Sequence, residues 1–334
     1  MKIAVGLSGG IDSTAAALLL RAAGHDIVGV TMALGRSGED AMIAETQRVA
    51  DQLKIPLSVI DLSSAWQNHV TDYIRTSYLG GLTPNPCVRC NEVVKFGLLP
   101  TQALSVTGAD RFATGHYARL EMSASGPRLL RAIDRTKDQS YFLYRVSPTV
   151  LARTLFPLGG LTKREVRAYV EREGFDFSSR SESQDFCGGD VQNWIGRDDQ
   201  PGNIVTTDGR VLGHHRGFWH YTVGMRKGLG IGGGTPYYVV RLNAARNEVV
   251  VAFRESAVVR SFDLCEMVWF SSPLNEALSV KVRSAGEPRP GASVNGSRVT
   301  LSEGLTGIAP GQSAVFFRGD EVVGGGIIRK TEVR

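Results

Sequence analysis

Apolar residues in the first half of the chain fall into short runs that alternate with stretches of helical spacing. Lys2 to Leu7 is an apolar run of strand length, and Ser13 to Ala23, rich in Ala and Leu, follows as a helix closed by Gly24. Asp26 to Thr31 reads as a strand, Glu39 to Leu53 as a helix, Pro56 to Asp61 as a strand, Trp66 to Leu79 as a helix, and Arg111 to Thr114 as a further strand. This rhythm with short connections predicts an α/β fold with a doubly wound parallel sheet. Thr162-Lys163-Arg164-Glu165 reads as a capping box that opens a helix ending at Gly174.

Beyond about residue 200 the pattern changes. Asn203 to Leu212, Tyr237 to Leu242, Glu248 to Phe253, Leu278 to Arg283, Arg298 to Leu301 and Ser313 to Arg318 are short, β-branched runs separated by Gly, Pro and Asn. They predict two small β-rich domains, the last barrel-like. The expected organisation is a nucleotide-binding and catalytic domain over residues 1–190, a central β-rich domain over 191–255 and a barrel-like domain over 256–334.

The 334 residues exceed what one core usually supports, which agrees with several domains. No run of about 18 apolar residues occurs, and the expectation is a cytoplasmic protein with no membrane partner. A net charge of +5 is compatible with a nucleic-acid partner without requiring one. The four cysteines, Cys87, Cys90, Cys187 and Cys265, are too few for a disulfide scaffold. In a reducing compartment they read as metal ligands, catalytic thiols or core residues, and Cys265 reads as structural.

Ser8-Gly9-Gly10-Ile11-Asp12-Ser13 lies between the first strand and the first helix. Two glycines let the backbone approach a ligand, the serines offer hydroxyls, and the helix N-terminus offers N–H groups to a pyrophosphate. Asp12 is placed to orient the loop or to approach a magnesium ion. The lysine of a Walker loop is missing. The segment resembles the loop of the PP-loop ATP pyrophosphatase superfamily, whose members transfer AMP from ATP to a carbonyl oxygen and then admit a nitrogen or sulfur nucleophile.

The segment Thr83-Pro84-Asn85-Pro86-Cys87-Val88-Arg89-Cys90 is stiffened by prolines and leads into a helix expected to start near Asn91. A thiol just before a helix is expected to gain thiolate character from the dipole. Cys187 is followed by Gly188 and Gly189. Two such thiols suit a sulfur relay, one carrying a persulfide and the other releasing it as a disulfide closes. A C-x-x-C pair equally suits a metal. His116 stands at the C-terminal end of a predicted parallel strand, where α/β sheets bind ligands.

Taken together, these blocks resemble the bacterial tRNA-specific 2-thiouridylase family along nearly the whole chain. The matching pieces are Gly6 to Ser13, Thr83 to Pro86, Cys90-Asn91 with Lys95-Phe96-Gly97, Ala113 to Tyr117, Lys137 to Leu143, Tyr221 to Gly224, Arg226 to Gly233, Ala309 to Gln312, and Gly324 to Gly326. The resemblance implies ATP- and Mg2+-dependent thiolation of C2 of the wobble uridine in the tRNA anticodon loop, with sulfur from a donor protein or sulfide. It implies that ATP lies on Gly6, Leu7, Ser8, Gly9, Gly10, Ile11, Asp12 and Ser13, with Met32 and Gly115 near the adenine and ribose. Asn85, Pro86 and Cys87 would border the target base. His116, Lys137, Asp138, Gln139, Arg283, Ser284 and Gln312 would touch RNA. Cys90 matches the family nucleophile and Cys187 the persulfide carrier.

Two departures stand out. The family's Asp after Asn-Pro is Cys87 here, and its Gly-Ile-Cys-Phe has become Asp185-Phe186-Cys187-Gly188. Three thiols, Cys87, Cys90 and Cys187, suit a [4Fe–4S] cluster with one open iron, and this reading is preferred to a Cys90/Cys187 relay. The rivals are a PP-loop ligase acting on a small molecule and a non-catalytic RNA-binding or iron–sulfur carrier protein.

Overall fold

The computed structural model describes residues 1–178, 194–232, 234–273 and 276–333. The chain forms two units, one of Met1–Val70, Cys87–Phe186 and Asp320–Val322, the other of Thr71–Pro86, Cys187–Gly319 and Val323–Arg334.

The first unit is built on β1 (Lys2–Gly6), β2 (Asp26–Ala33), β3 (Leu57–Asp61), β4 (Arg111–Thr114), the hairpin β5 (Ala118–Ser123) and β6 (Gly126–Arg131), and β7 (Thr154–Leu155). Five of these form one sheet in the order β3-β2-β1-β4-β7 with every pairing parallel. The order reverses at β1, so a crevice opens beyond the carboxyl ends of β1 and β4, where such sheets bind ligands. Ile3, Ala4 and Val5 are fully buried, as expected for a central parallel strand covered on both faces.

Helix α1 (Ile11–Ala22) packs Ala15, Ala16 and Leu18 into a core with Val5, Leu7, Val49, Leu53, Val166 and Val170. It begins at Ile11, earlier than the expected Ser13, because Gly10 in extended conformation already acts as its N-cap. Helix α2 spans Glu39–Leu53 as the periodicity predicts. The expected helix over 66–79 is instead broken into Ser63–Trp66, a π-helical stretch Gln67–Thr71 and Asp72–Leu79, which buries Trp66 and Val70 on either side of the junction. The capping box is present. Glu165 Oε2 accepts from Thr162 N at 2.7 Å, and Thr162 Oγ1 accepts from Glu165 N at 3.3 Å, ahead of the helix Lys163–Arg172.

The second unit holds two β layers. β8 (Gly202–Thr206), β9 (Val211–His215), β10 (Tyr238–Asn243) and β11 (Glu248–Ala252) form a sheet in the order β10-β11-β8-β9. The remaining strands are β12 (Val258–Trp269), β13 (Leu278–Lys281), β14 (Arg289–Asn295), β15 (Arg298–Thr306), β16 (Ser313–Arg318) and β17 (Glu321–Val333). They run β12-β15-β14-β13-β16-β17, and β17 pairs back on β12 to close an antiparallel barrel. Phe262, Leu264, Val280, Val299, Phe316 and Ile328 fill it, one inward face per strand.

Candidate active site

The loop from Leu7 to Ser13 is knitted by its own hydroxyls. Ser8 N donates to Ser13 Oγ at 3.2 Å, the two serine hydroxyls lie 3.2 Å apart, and Ser13 Oγ donates to Gly10 O at 3.0 Å. Gly9 has φ +70°, a conformation that leaves glycine as the favoured residue. No side chain caps α1, so its first-turn N–H groups and the positive end of its dipole remain for an anion.

Asp12, in the first turn of α1, is held from outside the loop. Its Oδ1 accepts from Lys163 Nζ at 2.7 Å and from Tyr117 Oη at 2.8 Å, and its Oδ2 accepts from Lys163 Nζ at 2.9 Å. Lys163 opens the helix that Thr162 caps, so the capping box fixes where this cation sits. Asp12, expected to orient the loop or to approach a magnesium ion, is thus engaged by a lysine and a phenol, a geometry that suits the first of these roles. Gly115 sets the other side. A Cβ there would lie 2.6 Å from the Asp12 carbonyl carbon and 2.8 Å from Ser13 N, so the loop after β4 rests directly on the backbone of the phosphate loop.

A single cavity of about 230 Å3 joins this loop to the cysteines. Its lining includes Gly6 to Ser8, Asp12, Ser13, Met32, Cys87, Cys90, Lys95, Gly115, His116 and Gln139. Both residues of the C-x-x-C pair therefore line the same cavity as the phosphate loop, one helical turn apart.

The helix around them differs from the sequence expectation. It starts at Pro86, not near Asn91, and runs as Pro86–Cys90, π-helical Asn91–Leu98 and Leu99–Thr107. Cys90 consequently lies within helical backbone and gains little from a helix N-terminus. It is 2% exposed, and burial pushes its thiol up to about 11 even though Lys95 pulls the other way. The expected thiolate is a protonated thiol at neutral pH, because desolvation outweighs the nearby positive charge. Cys87 is half-buried.

His116 packs against Phe96 and Phe156, with ring centroids 5.3 and 6.0 Å away, and its Nδ1 shares a 2.8 Å hydrogen bond with Thr114 Oγ1. Burial, then the charge of Lys95, holds its pKa well below the usual histidine value. A neutral imidazole therefore lines the cavity. Gln139 Oε1 accepts from Tyr117 N at 2.9 Å, which ties the residue to the end of β4.

Other expected contacts have different surroundings. Asp138 has a side chain only 1% exposed, paired with Arg131 at 3.2 Å and accepting from Ala132 N and Ser140 N. A carboxylate so committed shapes the loop that carries Gln139 and does not reach outward to RNA. Lys137, partly exposed, sits in the turn before it. In the second unit, Gln312 Nε2 donates to the carbonyls of Thr83 at 3.2 Å and Pro84 at 3.1 Å, and Thr83 N donates to Pro310 O at 2.8 Å. The donor end of Gln312 is thus spent on the segment leading to Asn85 and Pro86, not held out to RNA. Arg283 and Ser284 are exposed just past β13. Cys187 lies outside the described residues. Among the described residues no group of three or more His, Cys, Asp or Glu is placed to hold a metal, and no helix is long and apolar enough to cross a membrane.

Sequence reasoning gave no role to Tyr117 or Lys163, both of which hold Asp12, or to Lys95 and Phe142, which line the cavity. Lys163 had a signal, since a cation at the first position after a capping residue is unusual near a positive helix end.

Residues 1–188 match the family model described as "tRNA methyl transferase HUP domain", 192–253 its "PRC-barrel domain" and 259–328 "Aminomethyltransferase beta-barrel domain". A protein from Trichormus variabilis named tRNA-specific 2-thiouridylase MnmA is 42% identical, over 98% of this chain and 99% of that protein. Proteins of the same name from a Nostoc species and a Picosynechococcus species are 42% and 41% identical, covering 98% and 99% of this chain and 99% of each relative. The chain belongs to the tRNA-specific 2-thiouridylase family.

Proposed function

We propose that the chain uses ATP to adenylate the C2 oxygen of the wobble uridine in tRNA and replaces that oxygen with sulfur. The observation that carries this reading is one cavity lined by both the phosphate loop and the two cysteines of the C-x-x-C pair. The uridine must leave its stack to enter such a cavity. Its O2 attacks the α-phosphate of ATP and pyrophosphate leaves, its charge met by the N-terminus of α1. Adenylation turns a poor leaving oxygen into a good one, and sulfur then displaces AMP at C2. Asp12, held by Lys163 and Tyr117, keeps the loop in register, and Mg2+ would accompany the nucleotide.

The sulfur route follows from the donor set. Cys87 and Cys90 line one cavity from one helical turn, and a bound cation would offset the burial cost that keeps Cys90 protonated. The donor chemistry of Cys87 and Cys90 suits a [4Fe–4S] cluster, with Cys187, outside the described residues, as the third ligand in this reading. Such a cluster, when bound, supplies an open iron site for an extra sulfide. A Cys90/Cys187 persulfide relay is the second reading, favoured by the family position of Cys90.

The deciding experiment is nucleoside mass spectrometry of tRNA after incubation with protein, ATP, Mg2+ and sulfide, with pyrophosphate release followed in parallel. The expected result is 2-thiouridine and tRNA-dependent pyrophosphate release. Turnover without tRNA would point to a small-molecule ligase, and no turnover to a binding protein. For the cluster, anaerobic reconstitution with iron and sulfide should give a brown protein, and Cys87→Ser should lose the bound iron. A colourless wild-type protein fully active with a persulfide donor would leave the relay.

A further inference from the structure

Asn91, next to Cys90, is 4% exposed and lines the same cavity. Its amide is not free to turn. Nδ2 donates to the carbonyl of Phe142 at 3.2 Å, and because a carbonyl can only accept, this contact fixes which end of the amide is which. The other end, Oδ1, is buried and has no hydrogen-bond partner among the described residues. A buried acceptor left unpaired is costly, and functional sites are where such a cost persists. The π-helical start at Asn91 contributes, since a widened turn redirects side chains and recurs at functional positions.

A ligand that pairs with this atom must present a donor. Asn91 sits with Phe142, whose N–H bonds back to Gln139 O, and Gln139 is tied in turn to Tyr117 just after β4. Sulfur must reach C2 from the C-x-x-C wall, and Asn91 directly follows Cys90 on that wall. On this reading the base nearest Oδ1 is the substrate base. Uracil carries one N–H in its ring, at N3. Cytosine carries a lone pair there.

We infer that Asn91 Oδ1 accepts the N3–H of the target uracil and so selects uridine against cytidine. This rests on the tRNA-uridine reading above. An acceptor facing the N3 lone pair of cytosine loses its hydrogen bond and meets a like partial charge, which corresponds to about tenfold to a hundredfold in selectivity. The role is recognition; Asn91 takes no proton.

The test measures pyrophosphate release by the full chain with anticodon stem–loops that differ only in carrying U or C at the wobble position. Wild type should prefer U, and Asn91→Leu should lower the U-to-C ratio of kcat/KM about tenfold or more while leaving the Kd for ATP unchanged. A folded variant that keeps the wild-type ratio overturns the inference, and so does one whose main defect is weaker ATP binding, which would assign Oδ1 to the adenine amino group. Should Asn91→Leu not fold, wild type settles the matter with a stem–loop carrying 3-methyluridine. That RNA should inhibit at least tenfold more weakly than its unmethylated counterpart, and equal inhibition refutes N3 recognition. If wild type releases no pyrophosphate with the U stem–loop, the thiouridylase reading itself falls, and this inference with it.

Discussion

On the phosphate-loop side of the cavity, Ser8 and Ser13 satisfy one another, Gly115 rests on the backbone of Asp12, and Lys163 and Tyr117 hold the carboxylate. On the cysteine side, Cys90 is buried with its proton retained and Asn91 Oδ1 is unpaired. The first wall is preorganised, so an anion arriving there finds its donors already aimed and little reorganisation remains to be done. The second wall carries unmet costs that only a bound base, a cation or a sulfur species would relieve. The contrast assigns nucleotide binding to the apo protein as it stands and makes the sulfur chemistry conditional on what else has bound.

The sharpest way to break this division is to remove the thiol. Cys90→Ser should abolish 2-thiouridine formation, by about a thousandfold or more, yet leave tRNA-dependent pyrophosphate release near the wild-type level. Parallel loss of both activities would show that the two walls are one machine. Next in size is Gly115→Ala. A Cβ 2.6 Å from Asp12 backbone has no side chain to push aside, so the phosphate loop itself must shift. We expect a loss of about 1–3 kcal/mol in unfolding free energy and at least a tenfold weaker Kd for ATP, read by denaturant titration and calorimetry.

How far the sequence reached follows the same contrast. The phosphate loop is local, with strand, glycines, serines and helix start contiguous, so Ser8 to Ser13 were legible as a unit. The parallel sheet was legible too, because β1, β2 and β4 are buried on both faces and read as short apolar runs. The hairpin β5–β6 and the strands β14 and β17 escape the sequence pattern, and of β12 only Ser261 to Cys265 reads as β-rich. Their residues alternate with Gly, Arg and Glu, since one face is solvated, and Arg119 and Arg128 are partnered by Asp320 and Glu321 from far along the chain. The thiol environment was misjudged for a related reason. Two prolines in sequence suggest a stiff segment ahead of a helix, but Pro86 occupies the first helical position, where its missing N–H costs nothing. Neither the burial of Cys90 nor the pairing of Asp138 with Arg131 depends on nearby sequence, and no spacing could have announced them.

The pH dependence of the thiol gives a smaller, graded test. An ordinary thiol ionises near 9.0 and that of Cys90 is pushed up to about 11, so between these values the folded protein keeps a proton that the unfolded chain loses. Stability should therefore be unaffected by this group below about pH 9 and should fall as pH rises toward 11, and Cys90→Ala should flatten that slope. Alkylation should follow the same order, Cys87 first and Cys90 only at high pH. Rapid modification of Cys90 at neutral pH would mean that the wall opens.

The smallest effect concerns what holds the approach to the cysteine wall. Gln312 donates to the carbonyls of Thr83 and Pro84, and Thr83 N–H is bonded to Pro310 O. Gln312→Ala removes two neutral hydrogen bonds from the carbonyls of the buried residues Thr83 and Pro84, each contributing about 0.5–1.5 kcal/mol, without opening a large cavity. Thr83 carries its own reporter, because its amide should exchange faster once the segment is less firmly held. We expect a rise in that exchange rate and less than a tenfold fall in thiolation, with the Kd for tRNA little changed. A direct RNA contact by Gln312 would give the reverse pattern, a weaker Kd with Thr83 exchange unaltered. The two roles make opposite demands on one side-chain amide, whose NH2 cannot satisfy the Thr83 and Pro84 carbonyls and a nucleotide at the same time.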